Sequence, residues 1–310
     1  MPAPKIVIKS NFLTFIFQKY LGSKDIRVFK DKFIYYLIFR IIRNFLAYDI
    51  ILHIYNFKVF GSINRNKTSY FLLKKCEFGD HHELNIIKQL SKKNKILLVD
   101  CGCNYGFYSL YTASLKKENF IISVEASKKT SYEFLKNLKL NNFSNVVFKN
   151  NAVSNFDNVD IVFNESENDW ESSQSHNNFK AFSTTNVKSI KIDTLIENFQ
   201  CENYISILKL DIEGNEINAL YGGLRFIKKY SPLIITEFSK YIFDKQDNIE
   251  HLKSFLAKYD YSIFDTKKKQ INIEEILNKL NNLTKRYKTI GNFYLIKNNS
   301  NNLKIFLSNE

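Results

Sequence analysis

Ile96-Leu97-Leu98-Val99-Asp100-Cys101-Gly102-Cys103-Asn104-Tyr105-Gly106 is the stretch on which the fold turns. Its first four residues are continuously apolar, too short a run for a helix and suited to a strand buried on both faces. Two of the chain's nine glycines come directly after it. Working outward, a helix is predicted over Phe107–Lys117, a strand over Phe120–Val124, a helix over Lys128–Leu140 and a strand over Val146–Phe148. Strand and helix in alternation predict a parallel sheet with helices on its faces. Residues 154–190 read as a polar excursion with a strand at Val159–Phe163 and a Ser/Asn-rich loop at Glu165–Asn178. Order returns with strands at Ile205–Leu210, Leu233–Thr236, Tyr261–Phe264 and Phe293–Ile296, and helices near Asn215–Lys229, Ile249–Tyr259 and Ile273–Leu280. Upstream, Glu83–Leu90 reads as an amphipathic helix, and Phe57–Phe60 and Ser69–Leu73 as short strands.

The 310 residues are 45% hydrophobic and 25% charged, too apolar for a disordered chain. Nine glycines and three prolines exclude collagen-like and low-complexity classes. The net charge of +14 is uneven: residues 1–90 carry 15 basic and 6 acidic residues, net +9. Such a front end suits nucleic acid, an anionic membrane or a phosphorylated substrate, or is the solvated surface of a lysine-rich chain. Cys76, Cys101, Cys103 and Cys201 make neither a disulfide framework nor a zinc-ligand spacing, which points to a reducing cytoplasm. Lys5 and Lys9 precede no clean secretory core. The most apolar stretch, Phe33–Phe39, ends at Arg40, and Arg43, Asp49 and His53 interrupt the apolar residues beyond it. A span needs about 18 apolar residues, so this segment is expected not to cross a bilayer, although it can lie on one.

The chemistry is carried by the residues after the strands. Val99–Gly106 is neither GxGxxG nor a phosphate loop, and a carboxylate, Asp100, stands before its first glycine. That favours a cationic ligand group, since a buried carboxylate repels pyrophosphate. Glu125, ending the second strand, is placed to accept hydrogen bonds from both ribose hydroxyls. A nucleoside with positive charge and no phosphate is the ligand described, and S-adenosylmethionine fits it.

Asp100-x-Gly102-x-Asn104-x-Gly106, Val124-Glu125-Ala126, Asn151-Ala152-Val153-Ser154, Ile192-Asp193-Thr194-Leu195 and Lys209-Leu210-Asp211-Ile212-Glu213-Gly214-Asn215-Glu216 occur in this order. Together, over roughly Glu77 to Glu237, they resemble the FkbM-type S-adenosylmethionine-dependent methyltransferases. One departure is Asn215, where that family commonly has His. The resemblance implies a seven-stranded, Rossmann-like class I methyltransferase sheet with its last strand antiparallel. It also implies O-methylation of a hydroxyl, often on a sugar or secondary metabolite. The expected organisation is a mainly helical accessory region at 1–55 and a methyltransferase domain at 56–300, ending in a tail at 301–310. Within that domain, 56–95 form lead-in strands and a helix, and 96–300 form the core.

For the cofactor, Asp100 is expected to order the glycine loop and face the methionine ammonium, or else to cap the next helix. Gly102 and Gly106 admit the backbone to the ligand, and the helix opening at Phe107 offers its amino end to the methionine carboxylate. Asn104 is a ligand contact or a left-handed turn residue. Glu125 with Ala126 holds the ribose, and Asn151 with Ala152 reads the adenine edge unless Asn151 is a plain turn residue. Asp211, Glu213 and Glu237 are expected to gather beside the reacting methyl, to orient an acceptor hydroxyl, bind a divalent cation or act as general base. The alternative for Glu213 is a helix cap. A metal is compatible with this cluster but not predicted. His81 and His82 are read as a solvated turn pointing to opposite sides, Lys267–Lys269 as a solvated loop, and Trp170 as uninterpretable alone.

These readings describe a cytoplasmic O-methyltransferase acting on a sugar, a glycan precursor or a related small molecule. No nucleic-acid partner is expected, and a homo-oligomer is compatible. The alternatives are an RNA methyltransferase, suggested by the basic front end but lacking any RNA-binding module, and a non-catalytic membrane-surface or partner-binding protein of the same fold.

Overall fold

The computed structural model describes residues 5–7, 49–62, 80–165, 183–199, 202–243, 246–283 and 289–308. Strands β1 (Lys5–Val7), β2 (Asp49–Ile54) and β3 (Phe57–Ser62) form a small antiparallel sheet. Helix α1 (His81–Lys93), β4 (Lys95–Cys101), α2 (Phe107–Leu115), β5 (Phe120–Val124), α3 (Lys128–Asn141) and β6 (Val146–Lys149) come after it. Next are β7 (Ala152–Val153), β8 (Asp160–Glu165), β9 (Ser183–Ile190), the short α4 (Ile192–Leu195) and β10 (Tyr204–Leu210). The chain continues through α5 (Glu216–Gly222), α6 (Leu224–Tyr230), β11 (Leu233–Ser239), α7 (Lys240–Phe243) and α8 (Gln246–Tyr259). It closes with β12 (Tyr261–Phe264), β13 (Gln270–Ile271), α9 (Ile273–Asn281), β14 (Thr289–Lys297) and α10 (Asn301–Ser308).

The central sheet has eight strands in the order β13-β12-β14-β11-β10-β4-β5-β6. β6, β5, β4, β10 and β11 run parallel, and β14 lies antiparallel between β11 and β12. This is the expected seven-stranded sheet with its last strand reversed, enlarged by the two-residue edge strand β13. Strand order reverses between β4 and β10, the place where open parallel sheets bind ligands.

Alternation along β4 decides the two faces. Ile96 and Leu98 pack with Ile121, Ile207, Leu233 and Tyr294 beneath α1, α2 and α10. Leu97, Val99 and Cys101 join Ile122, Leu208, Ile234 and Leu295 on the opposite face. Burial on both sides is why β4 reads as an unbroken apolar run rather than an alternating one.

Several sequence expectations need correction. The hairpin β2–β3 turns at Tyr55 and Asn56, so the expected boundary at residue 55/56 falls inside one structural unit. Nor are both ends of 1–55 helical: β1 and β2 are strands, and Ile54, Phe57 and Val59 are buried in the core beside α2. The hairpin is held there because Asn137 and Asn141 of α3 satisfy its edge: their side-chain oxygens accept from the Phe60 N–H (2.6 Å) and the Lys58 N–H (2.7 Å). The tail expected at 301–310 begins with α10, whose Phe306 packs 5.0 Å from Tyr294 and 5.6 Å from Phe264. The segment predicted as one helix over Asn215–Lys229 is two, α5 and α6, meeting at Gly223. Most of 1–55, together with the strand expected at Ser69–Leu73, Cys76, Trp170 and Cys201, lies outside the described residues. Among the described residues no helix is long and apolar enough to cross a membrane.

Candidate active site

The loops after β4 and β10 lie against each other across the switch point. The Asp211 N–H donates to the Cys101 carbonyl at 3.1 Å. Gly102 has φ +77°, and a Cβ there would stand 1.9 Å from the Asp211 carbonyl oxygen. Gly106, φ +88°, opens α2, and a Cβ on it would meet the Phe134 ring at 2.3 Å. At both positions the structure shows a close approach to the protein itself that demands glycine.

Glu125 is buried beside this loop, with Oε2 accepting from the Asn104 N–H at 3.0 Å and Oε1 from the Ser127 N–H at 2.9 Å. Burial pushes its pKa up to about 7, against the pull of those backbone donors. Each carboxylate oxygen retains capacity for another donor, as a ribose diol requires. Asn104 has φ +50°, so it is a left-handed turn residue as well as the one that hands its N–H to Glu125. Asn150, missed in the sequence reading, ties the strand ends together by donating to the Glu125 and Ala126 carbonyls at 2.7 and 3.1 Å.

Asp100 is fully buried. Its Oδ2 accepts from Ser109 Oγ at 2.5 Å, and Ser109 Oγ stands 2.7 Å from Ser123 Oγ. Its Oδ1 is buried without a hydrogen-bond partner. Helix α2 has Gly106 at its N-cap, and Asp100 also accepts from the backbone of Ser109 in the first turn, as the capping alternative for it anticipated. The Phe107 ring is buried in the core and packs 6.3 Å from Phe57. Ala126 and Ala152 share a small apolar cluster with Phe163 and Val187, while Asn151 Nδ2 is spent on the Lys188 carbonyl at 2.9 Å.

At the other side of the switch point, β10 carries one charged residue, Lys209, whose side chain is only 3% exposed. Its Nζ lies 2.9 Å from Asp211 Oδ2 and 4.7 Å over the Tyr108 ring. Tyr108 donates to Asp80 Oδ2 at 3.0 Å. Burial works against this ammonium, but Asp211, Asp100 and Asp80 outweigh it and raise its pKa. Glu237, on β11, is lifted to about 8 by burial and then by the Asp211 charge. The structure therefore brings Asp211 and Glu237 together, with Lys209 and Asp80 as members that the sequence reading did not select. A lone lysine in an otherwise apolar strand was the available signal, because a buried charge requires partners.

Glu213 sits in the same loop at φ +55°, two residues before the N-cap of α5. The N-cap of α5 is Asn215, and Glu216 Oε1 accepts from the Ile212 and Gly214 N–H groups at 3.1 and 3.2 Å. Burial raises Glu216 to about 7. Asn215 donates to the Val153 carbonyl at 2.7 Å, fastening the loop to β7. Asp193 accepts from the Phe226 N–H at 2.8 Å and so caps α6. Among the described residues no three His, Cys, Asp or Glu side chains are placed to hold a metal ion. His81 and His82 open a helix rather than a turn, so their rings lie side by side, 4.3 Å apart, instead of pointing to opposite sides.

A parallel sheet reversing at β4/β10, an antiparallel last strand and acids at the carboxyl ends of β4 and β5 define a Rossmann-like class I methyltransferase domain. Residues 100–263, more than half of the chain, match the family model described as Methyltransferase FkbM domain. The chain belongs to that family, whose cofactor is S-adenosylmethionine. Among solved structures it is similar to methyltransferase FkbM from Methylobacillus flagellatus: 18% identity, TM-score 0.41, covering 73% of this chain and 52% of that one. This chain thus spans about half the length of that protein. Precorrin-6y C5,15-methyltransferase from Geobacter metallireducens shares 12% identity at TM-score 0.37, covering 68% of this chain and 84% of that one. TYW2 from M. jannaschii, crystallised with AdoMet, shares 12% identity at TM-score 0.37, covering 81% and 84%. No curated protein matches the sequence.

Proposed function

We propose that the protein transfers a methyl group from S-adenosylmethionine to a hydroxyl of a sugar, glycan precursor or related small molecule. Bound in the cleft, the cofactor supplies an electrophilic methyl on its sulfonium. Glu125 would accept the ribose hydroxyls, and the buried, unpartnered Oδ1 of Asp100 suits the cationic methionine end. The residue types fit that group at both ends. Asp211 has 38% of its side chain exposed and gives Oδ2 to Lys209, which leaves Oδ1 to orient an acceptor hydroxyl.

The observation that carries this reading is Glu237. With a pKa near 8, beside Asp211, it is matched to removing a hydroxyl proton close to neutral pH. The rest of the catalytic effect is alignment, since an in-line displacement is accelerated chiefly by fixing donor and acceptor. Incubation with methyl-labelled cofactor and a panel of free sugars, nucleotide sugars and ribosomal RNA tests it. Alkali-stable label in a sugar fraction is expected. Label entering RNA alone would replace the acceptor class with nucleic acid.

A further inference from the structure

Helix α3 turns one side to the core, where Phe134 and Asn137 are buried and the Phe134 ring lies 5.0 Å from Phe148. At 100° per residue, Lys128, Lys129, Tyr132, Leu135, Lys136 and Lys139 fall within about 120° of arc on the side away from it. Tyr132 and Leu135 are 64% and 46% exposed, so an aromatic and an aliphatic side chain stand in water among lysines. The Lys136 ammonium lies 5.4 Å over the Tyr132 ring and 5.5 Å over the Phe60 ring, which continues the face onto β3. Lys58, exposed and two residues from Phe60, extends it on the same side of that strand. The helix carries four lysines against one glutamate, Glu133, and that glutamate pairs with Lys136 at 3.1 Å. Local helix stability does not ask for this pattern: Lys128 and Lys129 occupy a first turn without an acid, where the helix dipole disfavours cations.

We propose that this face of α3 docks on an anionic lipid bilayer. The ammonium groups meet the headgroup phosphates, and Tyr132 and Leu135 enter the boundary with the acyl chains, as the two kinds of side chain on an interfacial helix do. Charge complementarity selects an anionic partner, and Leu135 selects lipid over RNA. An aliphatic chain offers no ring on which a base can stack, and both rings of the face already carry the Lys136 ammonium. The helix opens just after Glu125 and Ala126, so the docked face ends beside the loops at the carboxyl ends of the strands.

The test is flotation of the full-length protein with vesicles at physiological salt, beside a titration with single-stranded RNA. The vesicles are phosphatidylcholine alone, or equal parts phosphatidylcholine and phosphatidylglycerol. Wild type is expected to float with the anionic vesicles and not with the neutral ones, and to bind less as salt is raised. Lys129→Gln combined with Lys139→Gln is expected to lower the partition coefficient about 25-fold, because each lysine near such a surface contributes roughly fivefold. Leu135→Ser, which leaves the charge untouched, is expected to lower it about fivefold. The apolar segment Phe33–Phe39 is intact in both variants, so the change reads α3 alone. All three positions are exposed, and an unchanged circular dichroism spectrum qualifies each variant. If one variant fails to fold, the other decides alone. Wild type that ignores the anionic vesicles would overturn the proposal, and so would folded variants that float like wild type. RNA binding at a salt concentration where the vesicles are released would overturn it in favour of nucleic acid.

Discussion

The carbonyl oxygen of Asp211 stands where a side chain on Gly102 would have to be, 1.9 Å from its Cβ position. The loop proposed to hold the nucleoside and the loop proposed to carry the catalytic acid are therefore one packed unit. Gly102→Ala must push them apart while also forcing alanine into a left-handed backbone. Strain of this kind costs about 1–3 kcal/mol. The variant should show a lower denaturation midpoint and weaker binding of S-adenosylhomocysteine, both read on the same preparation.

Glu125 provides a pH test of the cofactor site. Its pKa near 7 means that the anion, the better acceptor for ribose hydroxyls, is lost as pH falls below neutrality. The dissociation constant for the cofactor should rise from pH 8 to pH 6 and stay level above pH 8. Glu125→Gln should remove that dependence, and Glu125→Ala should weaken binding at least tenfold, as a lost charged hydrogen bond of about 1.5–3 kcal/mol requires. A dissociation constant unchanged in Glu125→Ala would reject the ribose assignment.

Stability should fall as pH rises. Glu125, Glu216 and Glu237 have folded-state pKa values of about 7, 7 and 8, above their unfolded values. Their contribution is complete below the unfolded pKa of about 4.3, and it is lost as pH climbs through 7 and 8. The sign is set by protons: the native state binds more of them there than the unfolded chain. The urea midpoint of the ligand-free protein should be lower at pH 9 than at pH 6, and Glu216→Gln should flatten the change.

Turnover should separate from binding at the acids. Asp211→Asn and Glu237→Gln are expected to bind S-adenosylhomocysteine like wild type yet lose about 10²–10⁴-fold in kcat, the usual worth of a positioned base. Wild-type kcat should rise with pH through about 8, the value to which Glu237 is lifted, and Glu237→Gln should lack that inflection. Full turnover in both variants at neutral pH would make these carboxylates structural.

Local pattern in the sequence was enough for β5 and β12, whose ends fall at Phe120–Val124 and Tyr261–Phe264 as read. It also located Asp100 and Glu125, because an acid that ends a buried apolar strand is visible in one dimension. The parallel sheet came from strand and helix in alternation, and its Rossmann-like arrangement with an antiparallel last strand from the resemblance to the family. Tertiary packing alone decided the rest. Whether Phe57 belongs to an appendage or to the core depends on Phe107 and Tyr111, some fifty residues on, which meet it edge to face at 6.3 and 6.5 Å. That Asp80, Tyr108, Lys209 and Glu237 form one electrostatic unit is written in no spacing. Hydrophobic period reports only how a segment is buried, whereas the pKa of a buried charge depends on which distant segments deliver its partners.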